Sequence, residues 1–505
     1  MAGGGDMVLE QLVEDLPVAW ASGSRPRPGL EIAGVCHDSR RVEPGDLFVT
    51  WKGDRWDGAS FVEEAARRGA VAVLTDPRSP VPLLPWLVAP EPRTLLAPLA
   101  SRVYEHPDRE LLMAGVTGTN GKSTVVALLA ALLEAAGCAS ACLGTLGYRF
   151  RDLEFPGERT TPEASDLHRV LRRARDAGAM AAVMEVSSHA LVQGRVDCAT
   201  FDLGVFLNLS RDHLDFHPTM DDYFAAKAAL FERLGEDGRA AISVDCPWGQ
   251  RLAALYPRAI TFGDRGAVRF RDLRLDAKGI AATVETPRGE VAIQSRLLGA
   301  YNARNLLAAI AATEAIELDH EVYASLPEVE RLPGRMEPVE LGQPFPVIVD
   351  YAHTDGALRA ALEAVRGLGG AMGTAAGRAG DRVVVVFGCG GDRDRGKRPL
   401  MGRAAGELAD HAILTSDNPR SEDPMAILAA IEEGIAAVPG ASWEVVPDRR
   451  EAIRRAIALA DPGTSVLIAG KGHERVQLLG DRSLPFVDRD EAARAIEERL
   501  EEPRA

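Results

Sequence analysis

Short apolar runs of four to eight residues recur along the chain, most of them ending in a polar cluster. They alternate with longer segments whose apolar residues fall three and four apart. Runs of that length predict buried strands, and the longer segments predict helices. In residues 1–108, Ile32–Val35, Asp46–Trp51 and Ala70–Thr75 read as strands and Phe61–Arg68 as a helix. Pro77–Arg93 is proline-rich and reads as a surface loop. In residues 109–333, the run Leu111–Ala114 precedes the helix-spaced segment Val125–Ala136. Ala181–Val186 and Phe201–Asn208 are further strands, and Val291–Leu298 with a helix at Asn302–Ala315 closes this part. In residues 334–505, Val347–Asp350, Val383–Phe387, Ala412–Thr415 and Val466–Ala469 are β-rich runs separated by helical segments, which predicts a mostly parallel, doubly wound sheet. Gly367–Gly380, rich in Gly and Ala, reads as a mobile surface excursion.

Length and charge narrow the class. A chain of 505 residues fits about three domains. Hydrophobic residues at 46% beside 26% charged ones are ordinary for a soluble globular protein. The net charge of −16 argues against a nucleic-acid-coating surface and against an anionic membrane partner, while leaving room for a local basic site. No apolar run reaches about 18 residues, so no membrane span is expected. Met1–Asp6 lacks the basic region and apolar core of a secretory signal. The six cysteines show no Cys-x-x-Cys or zinc spacing, which suits reduced thiols in the cytoplasm. Cys138 and Cys142 lie one turn apart only if the helix continues past Gly137.

Candidate chemistry begins at Gly115-Val116-Thr117-Gly118-Thr119-Asn120-Gly121-Lys122-Ser123-Thr124. Strand, glycine-rich turn and helix is the context of a phosphate-binding loop. Backbone N–H groups close around phosphate oxygens, Lys122 adds a point charge, and Ser123 or Thr124 offers a hydroxyl to magnesium. Val116 stands where the usual pattern has Gly. Glu185, at a strand end, supplies a hard oxygen ligand for magnesium. His213, clustered with Asp212 and Asp215 after the next strand, reads as a metal ligand, although alone it would be a surface histidine. Lys227, on a helix, reads from its residues as a solvated side chain. Asp38-Ser39-Arg40 reads as a surface turn. Arg331-Leu332-Pro333-Gly334-Arg335 is a Pro-Gly turn with flanking basic groups at a domain junction, where an arginine either swings toward a transferring phosphate or closes an interdomain salt bridge. Four polar motifs follow four strands of the last segment: Asp350–Thr354, Gly388–Arg398, Asp417–Arg420 and Gly470–Glu474. Together they predict one ligand-binding edge.

In order, Asp38–Arg40, Thr160-Thr161-Pro162, Met184–Leu191, Asn208–His217, Gly388–Met401, Asp417–Arg420 and Gly470–Glu474 make the chain resemble the Mur ligase family over nearly its whole length. The resemblance implies an α/β fold of three domains. These are a smaller α/β UDP-substrate domain at 1–108, a central phosphate-loop ATPase domain with a mostly parallel sheet at 109–333, and a Rossmann-like amino-acid domain at 334–505. It implies cytoplasmic peptidoglycan precursor synthesis by a monomer. ATP would phosphorylate the D-glutamate γ-carboxylate of UDP-N-acetylmuramoyl-L-alanyl-D-glutamate, and the amine of an incoming amino acid would attack the acyl phosphate. Lysine, arginine and magnesium are needed there because developing charge must be neutralised.

By position, the resemblance gives Gly118, Thr119, Asn120, Gly121, Lys122, Ser123 and Thr124 the phosphates, and Asn305, Arg335 and Asp350 the adenine, phosphate and ribose. Ser123, Glu185, His213 and Lys227 become the magnesium cluster, with Lys227 carbamylated into a carboxylate analogue. Lys122, His213 and Lys227 carry the catalytic roles. Ser39, Thr160, Thr161, Ser187, Gln193 and Arg195 receive the UDP-substrate. Arg393, Asp417, Asn418, Arg420, Gly470 and Glu474 receive the amino acid. The arginine of Asp-Asn-Pro-Arg points to meso-diaminopimelate, whose second carboxylate Arg420 can pair bidentately, with Glu474 holding the distal ammonium. Family members that add L-lysine lack that arginine. Those lysine ligases, polyglutamate-forming folate enzymes and a non-enzymatic binding protein are the competing readings. Two places depart from the family: Asp355-Gly356 replace the usual Pro-Asp, and Ser243-Val244-Asp245-Cys246 stand where Asn-x-Asp-Asp is usual.

Overall fold

The runs Val383–Val386 and Val466–Ile468 are buried on both faces, as parallel strands covered by helices must be. The computed structural model describes all residues except 1–6, 22–23, 25–27, 54–56, 79–82, 156, 158, 277, 369–381 and 502–505. Met1–Asp6 and most of Gly367–Gly380 therefore lie outside the described residues. The chain forms two compact units. One comprises residues 1–117, 133–205 and 225–240, and the other 118–132, 206–224 and 241–505.

The first unit holds a five-stranded sheet in the order Ala19–Trp20, Trp86–Val88, Ala72–Thr75, Asp46–Val49, Gly34–Cys36. Its last four strands are parallel. Trp86–Val88 lies inside the segment expected to be a loop. Four prolines upstream masked a three-residue strand that pairs with Ala72–Thr75 through main-chain hydrogen bonds. Phe61 belongs to a 3₁₀ turn, Gly58–Phe61, and the α-helix is Val62–Arg68. An eight-stranded sheet, most of whose strands belong to this unit, runs Leu153–Phe155, Gly147–Phe150, Ser140–Gly144, Ala181–Glu185, Leu112–Thr117, Phe201–Phe206, Leu234–Ser243, Ile260–Phe262. The strand Ser140–Gly144 ends the possibility of Cys138 and Cys142 sharing a helix turn; the helix Lys122–Ala135 has already stopped before Gly137, which takes φ 79°.

The second unit is built on six strands in the order Glu337–Pro338, Val347–Asp350, Thr464–Ala469, Arg382–Phe387, His411–Leu414, Trp443–Val445. All neighbours are parallel except the first pair. Strand side chains alternate between faces, so Val383, Val385 and Phe387 enter one core while Val384 and Val386 enter the other. Helices Asp355–Leu368, Lys397–Leu408 and Pro424–Ala436 cover the first face. Arg449–Leu459 and Asp488–Glu501 cover the second. The sequence pattern missed two strands of an antiparallel three-stranded sheet, Arg269–Asp276 and Gly279–Thr286, whose third strand, Gly289–Ser295, overlaps the run at Val291–Leu298, and it missed a hairpin, Val476–Leu479 with Arg482–Pro485. Polar residues on their outer faces dilute the apolar signal there.

Candidate active site

In the second unit the phosphate loop is braced by Asn208. Thr119 N–H donates to Asn208 O (3.0 Å) and Asn120 N–H to Asn208 Oδ1 (2.9 Å), and Asn208 Nδ2 returns a bond to Asn120 O (3.0 Å). Gly118 and Gly121 take φ 154° and 93°, and a methyl group on Gly121 would overlap Asn305 Oδ1. Val116 is buried in the strand, paired with Glu185, so the loop here starts at Gly118. Lys122 folds back, its Nζ donating to the carbonyls of Gly118 (3.0 Å) and Thr119 (2.9 Å).

Beside the loop lies a cleft of about 360 Å³ whose walls include Asn120, Gly121, Thr124, Asn305, Arg335 and Asp350. That volume suits a small-molecule ligand. Arg335 Nη2 donates to Ser123 Oγ (3.2 Å), and its guanidinium lies 4.6 Å from the centre of the Tyr351 ring. Arg335 thus faces the phosphate-loop serine. Asp350 accepts from Met336 N–H (2.8 Å), Tyr301 O–H (2.9 Å) and Ala352 N–H (2.9 Å), while burial pushes its carboxyl up. Asn305 Nδ2 donates to Asn302 Oδ1 (3.0 Å), leaving its carbonyl toward the loop. Ser243 and Cys246, the two departures from the family pattern in that segment, also line the cleft, together with Asp245.

His213 sits at φ 55° next to a buried hub, Asp212. Asp212 Oδ2 lies 3.4 Å from His213 Nε2 and 3.9 Å from His353 Nε2, and Oδ1 lies 3.9 Å from Lys397 Nζ. Burial raises the Asp212 carboxyl, but the charges of His213, His353 and Lys397 outweigh it and hold it well below the usual range. Burial and Lys397 push His353 down to about 4. At neutral pH His353 is therefore uncharged. His353 and Lys397 lie in two of the polar motifs expected at the binding edge, although the motifs by themselves assign neither an individual role.

The four polar motifs follow parallel strands and emerge at one edge of the sheet. Arg420 takes φ 53°; its Nη1 donates to Gly391 O (2.7 Å). Burial and the like charge of Arg393 both lower the Arg420 pKa. Two neighbouring guanidinium groups favour an anion between them. Arg393 itself is exposed. Glu474 Oε2 accepts from Asn418 Nδ2 (2.7 Å) and from Lys471 Nζ (2.8 Å). Asp417 is buried against Gly470, where any side chain would meet its Oδ2 at 2.6 Å, and burial pushes its carboxyl up.

In the first unit, Thr161 is the centre of a polar cluster. Its Oγ1 donates to Glu185 O (2.8 Å) and accepts from Ser187 N–H (3.0 Å). Arg195 donates from Nη1 to Thr161 O (3.2 Å) and from Nη2 to Gln193 Oε1 (2.5 Å), and its Nε lies 3.0 Å from Glu163 Oε1. The buried Glu163 was missed because one acidic residue before a helix carries no spacing signal. Thr160 Oγ1 is 3.2 Å from Thr145 Oγ1, and the Thr145 N–H and hydroxyl both reach the Glu185 carboxylate, at 2.8 and 3.2 Å. Ser39 is buried in a 3₁₀ turn capped by Asp38 and donates to Glu64 (2.7 Å). The turn expected at Asp38–Arg40 forms, but Ser39 does not face solvent. Neighbouring residues hold this turn against the helix Ala164–Asp176, through Arg41 with Asp166 (2.7 Å) and His37 with Ser165 (2.9 Å). Lys227 is only 1% exposed, so the solvated reading of that lysine fails.

Glu185 and Lys227 belong to the first unit, Ser123 and His213 to the second. Among the described residues no three His, Cys, Asp or Glu side chains cluster as a ready-made metal cage. Magnesium uses one or two carboxylates with waters and substrate phosphates, so the Glu185 carboxylate and Ser123 hydroxyl fit its chemistry without such a cage.

A glycine-rich phosphate loop, a cleft of small-molecule size beside it and a sheet edge fitted with charged side chains suit an enzyme that handles a phosphate donor and a second charged substrate. Family models match the chain at 31–104 (Mur ligase family, catalytic domain), 116–313 (Mur ligase middle domain) and 334–472 (Mur ligase, glutamate ligase domain). The UDP-N-acetylmuramoyl-L-alanyl-D-glutamate–2,6-diaminopimelate ligase of Streptomyces coelicolor is 44% identical over 507 residues, covering 97% of this chain and 96% of that protein. The protein of the same name from Synechococcus elongatus is also 44% identical, covering 98% and 99%. The chain belongs to the Mur ligase family. A solved structure of a ligase of that name superposes with a TM-score of 0.63 at 31% identity, covering 98% of this chain and 99% of the other. The MurF ligase from Thermotoga maritima in complex with ADP shares the fold, with a TM-score of 0.68 at 19% identity over 93% of this chain and 98% of its own.

Proposed function

We propose that this chain is an ATP-dependent ligase that joins meso-diaminopimelate to the D-glutamate γ-carboxylate of UDP-N-acetylmuramoyl-L-alanyl-D-glutamate. The observation that carries the choice of amino acid is Arg420, held at φ 53° beside Arg393 at the sheet edge of a chain in this family. Diaminopimelate differs from lysine by a second carboxylate, which is what a pair of guanidinium groups selects. With lysine bound, that arginine would lack its partner, costing roughly 2–5 kcal/mol.

A carboxylate is a poor electrophile, so the γ-carboxylate oxygen first attacks the γ-phosphorus of ATP and the bond to ADP breaks. The amine of diaminopimelate then attacks the acyl carbon, the C–N bond forms, phosphate leaves, and the amine proton passes to solvent. The phosphate-loop amides, Lys122 and Arg335 hold the phosphates; Asn305 and Asp350 orient the nucleoside. Ser123, Glu185, His213 and carbamylated Lys227 would hold magnesium, which supplies charge neutralisation when bound. Ser39, Thr160, Thr161, Ser187, Gln193 and Arg195 receive the UDP-substrate; Arg393, Asp417, Asn418, Gly470 and Glu474 join Arg420 around the amino acid. Domains at 1–108, 109–333 and 334–505 carry these tasks in a cytoplasmic monomer. Among the described residues no helix is long and apolar enough to cross a membrane.

Purified protein given ATP, magnesium and the UDP-muramoyl-dipeptide should release phosphate when meso-diaminopimelate is added. Equal turnover with L-lysine would defeat the specificity. Arg420→Ala should raise KM for diaminopimelate by about 30-fold or more and leave ATP binding intact; loss of ATP binding would refute the assigned role.

A further inference from the structure

Lys471 is 0% exposed, so it cannot touch a ligand. Its ammonium has three protons and three acceptors: Asn418 Oδ1 (3.0 Å), Glu474 Oε2 (2.8 Å) and Val476 O (2.7 Å). Two of these belong to residues assigned above to the amino acid. We infer that Lys471 is a positioning residue for amino-acid selection, fixing which way the Asn418 amide and the Glu474 carboxylate face. The inference rests on the function proposed above and deepens it.

An ammonium can only donate, and so can the main-chain N–H of Leu478, which reaches the same Asn418 atom at 3.0 Å. Both lone pairs of that atom are therefore filled, and it must be the carbonyl oxygen. The opposite atom is the amide nitrogen, which donates to Glu474 Oε2 at 2.7 Å. Asn418 consequently offers a ligand only an N–H, which suits a carboxylate. Glu474 has Oε2 filled twice over and offers Oε1, which suits an ammonium. Lys471 sets the sign of both contacts without meeting the substrate. It also ties the hairpin Val476–Pro485 to the loop that carries Arg420. Arg420 N–H donates to Leu478 O (3.1 Å), Gly480 N–H donates to Arg420 O (2.8 Å), and Gln477 Nε2 donates to Asp417 O (2.9 Å). The left-handed backbone of Arg420 is held by this hairpin.

Without the ammonium, the Asn418 amide is free to turn over and Glu474 loses its anchoring cation. Lys471→Met should then raise KM for meso-diaminopimelate at least about tenfold, with KM for ATP within about twofold. The preference for diaminopimelate over L-lysine in kcat/KM should fall. Because part of the effect of Lys471 runs through Asn418 and the rest through Glu474, the same substitution in an Asn418→Ala background should cost measurably less than in the wild type. A cooperative melt that still shifts upward with ADP shows that a variant is folded; should Lys471→Met fail it, Lys471→Gln takes its place. An unchanged KM for diaminopimelate, or an equal cost with and without Asn418, would overturn the proposal. So would failure of both variants to melt cooperatively, which would make Lys471 a folding residue. The functional reading is judged separately, on wild-type turnover of the two amino acids.

Discussion

Lys227 shows how far one residue's surroundings can reverse its reading. Its neighbours Tyr223-Phe224-Ala225-Ala226 give helix spacing and nothing else, yet the side chain is 1% exposed. An amine in such a place is a candidate for carbamylation, which turns it from a cation into a carboxylate-like acceptor. Enzyme stripped of carbon dioxide at mildly acidic pH should lose activity and regain it with bicarbonate. Activity indifferent to bicarbonate would remove that role. His168 allows a pH prediction. It is fully buried, and burial holds it down to about 3 from its usual 6.5. The folded state thus binds fewer protons than the unfolded chain. The stability this neutral histidine contributes is complete above pH 6.5 and is lost as pH falls toward 3, by up to about 1.4 kcal/mol per unit. Urea titrations should show a flatter acid limb for His168→Leu; an unchanged limb would refute the assignment.

At the scale of elements, helices Lys397–Leu408 and Pro424–Ala436 touch backbone to backbone. A methyl group on Gly434 would overlap the Pro399 carbonyl, and one on Gly402 would overlap the Ile431 carbonyl. Alanine in a helix is favoured over glycine by about 1 kcal/mol. Overlap with rigid main chain costs about 1–3 kcal/mol and wins. Gly434→Ala should therefore lower stability by about 1–2 kcal/mol in denaturant titration, where propensity alone predicts a gain. The partner helix Lys397–Leu408 carries Lys397 toward Asp212. Long apolar runs predicted the parallel strands well, because burial on both faces leaves no room for polar interruption. The short strand Trp86–Val88 and the hairpin Val476–Pro485 escaped, since three or four residues with exposed neighbours carry little periodic signal.

For the whole molecule, the cleft proposed to hold the nucleotide is lined by residues of the second unit. ADP binding there should stabilise the protein by about 2.7 kcal/mol at 100 times its Kd. This is read as a concentration-dependent rise in Tm. Chelation of divalent cations should abolish phosphate release while leaving part of this ADP shift, because the loop amides and Arg335 do not depend on metal. Complete loss of the shift on chelation would argue that nucleotide is held through metal alone.

The sequence by itself determined the alternation of strands and helices, the phosphate loop, and the four polar motifs at strand ends. These are local signals: period, glycine and charge within a few residues. Only the tertiary structure decided that Arg335 faces Ser123, that Asp212 gathers His213, His353 and Lys397, and that Lys471 orients Asn418 and Glu474. Those partners lie up to 212 residues apart. Burial, which fixes what a lysine or a glutamate can do, is a property of everything packed around it.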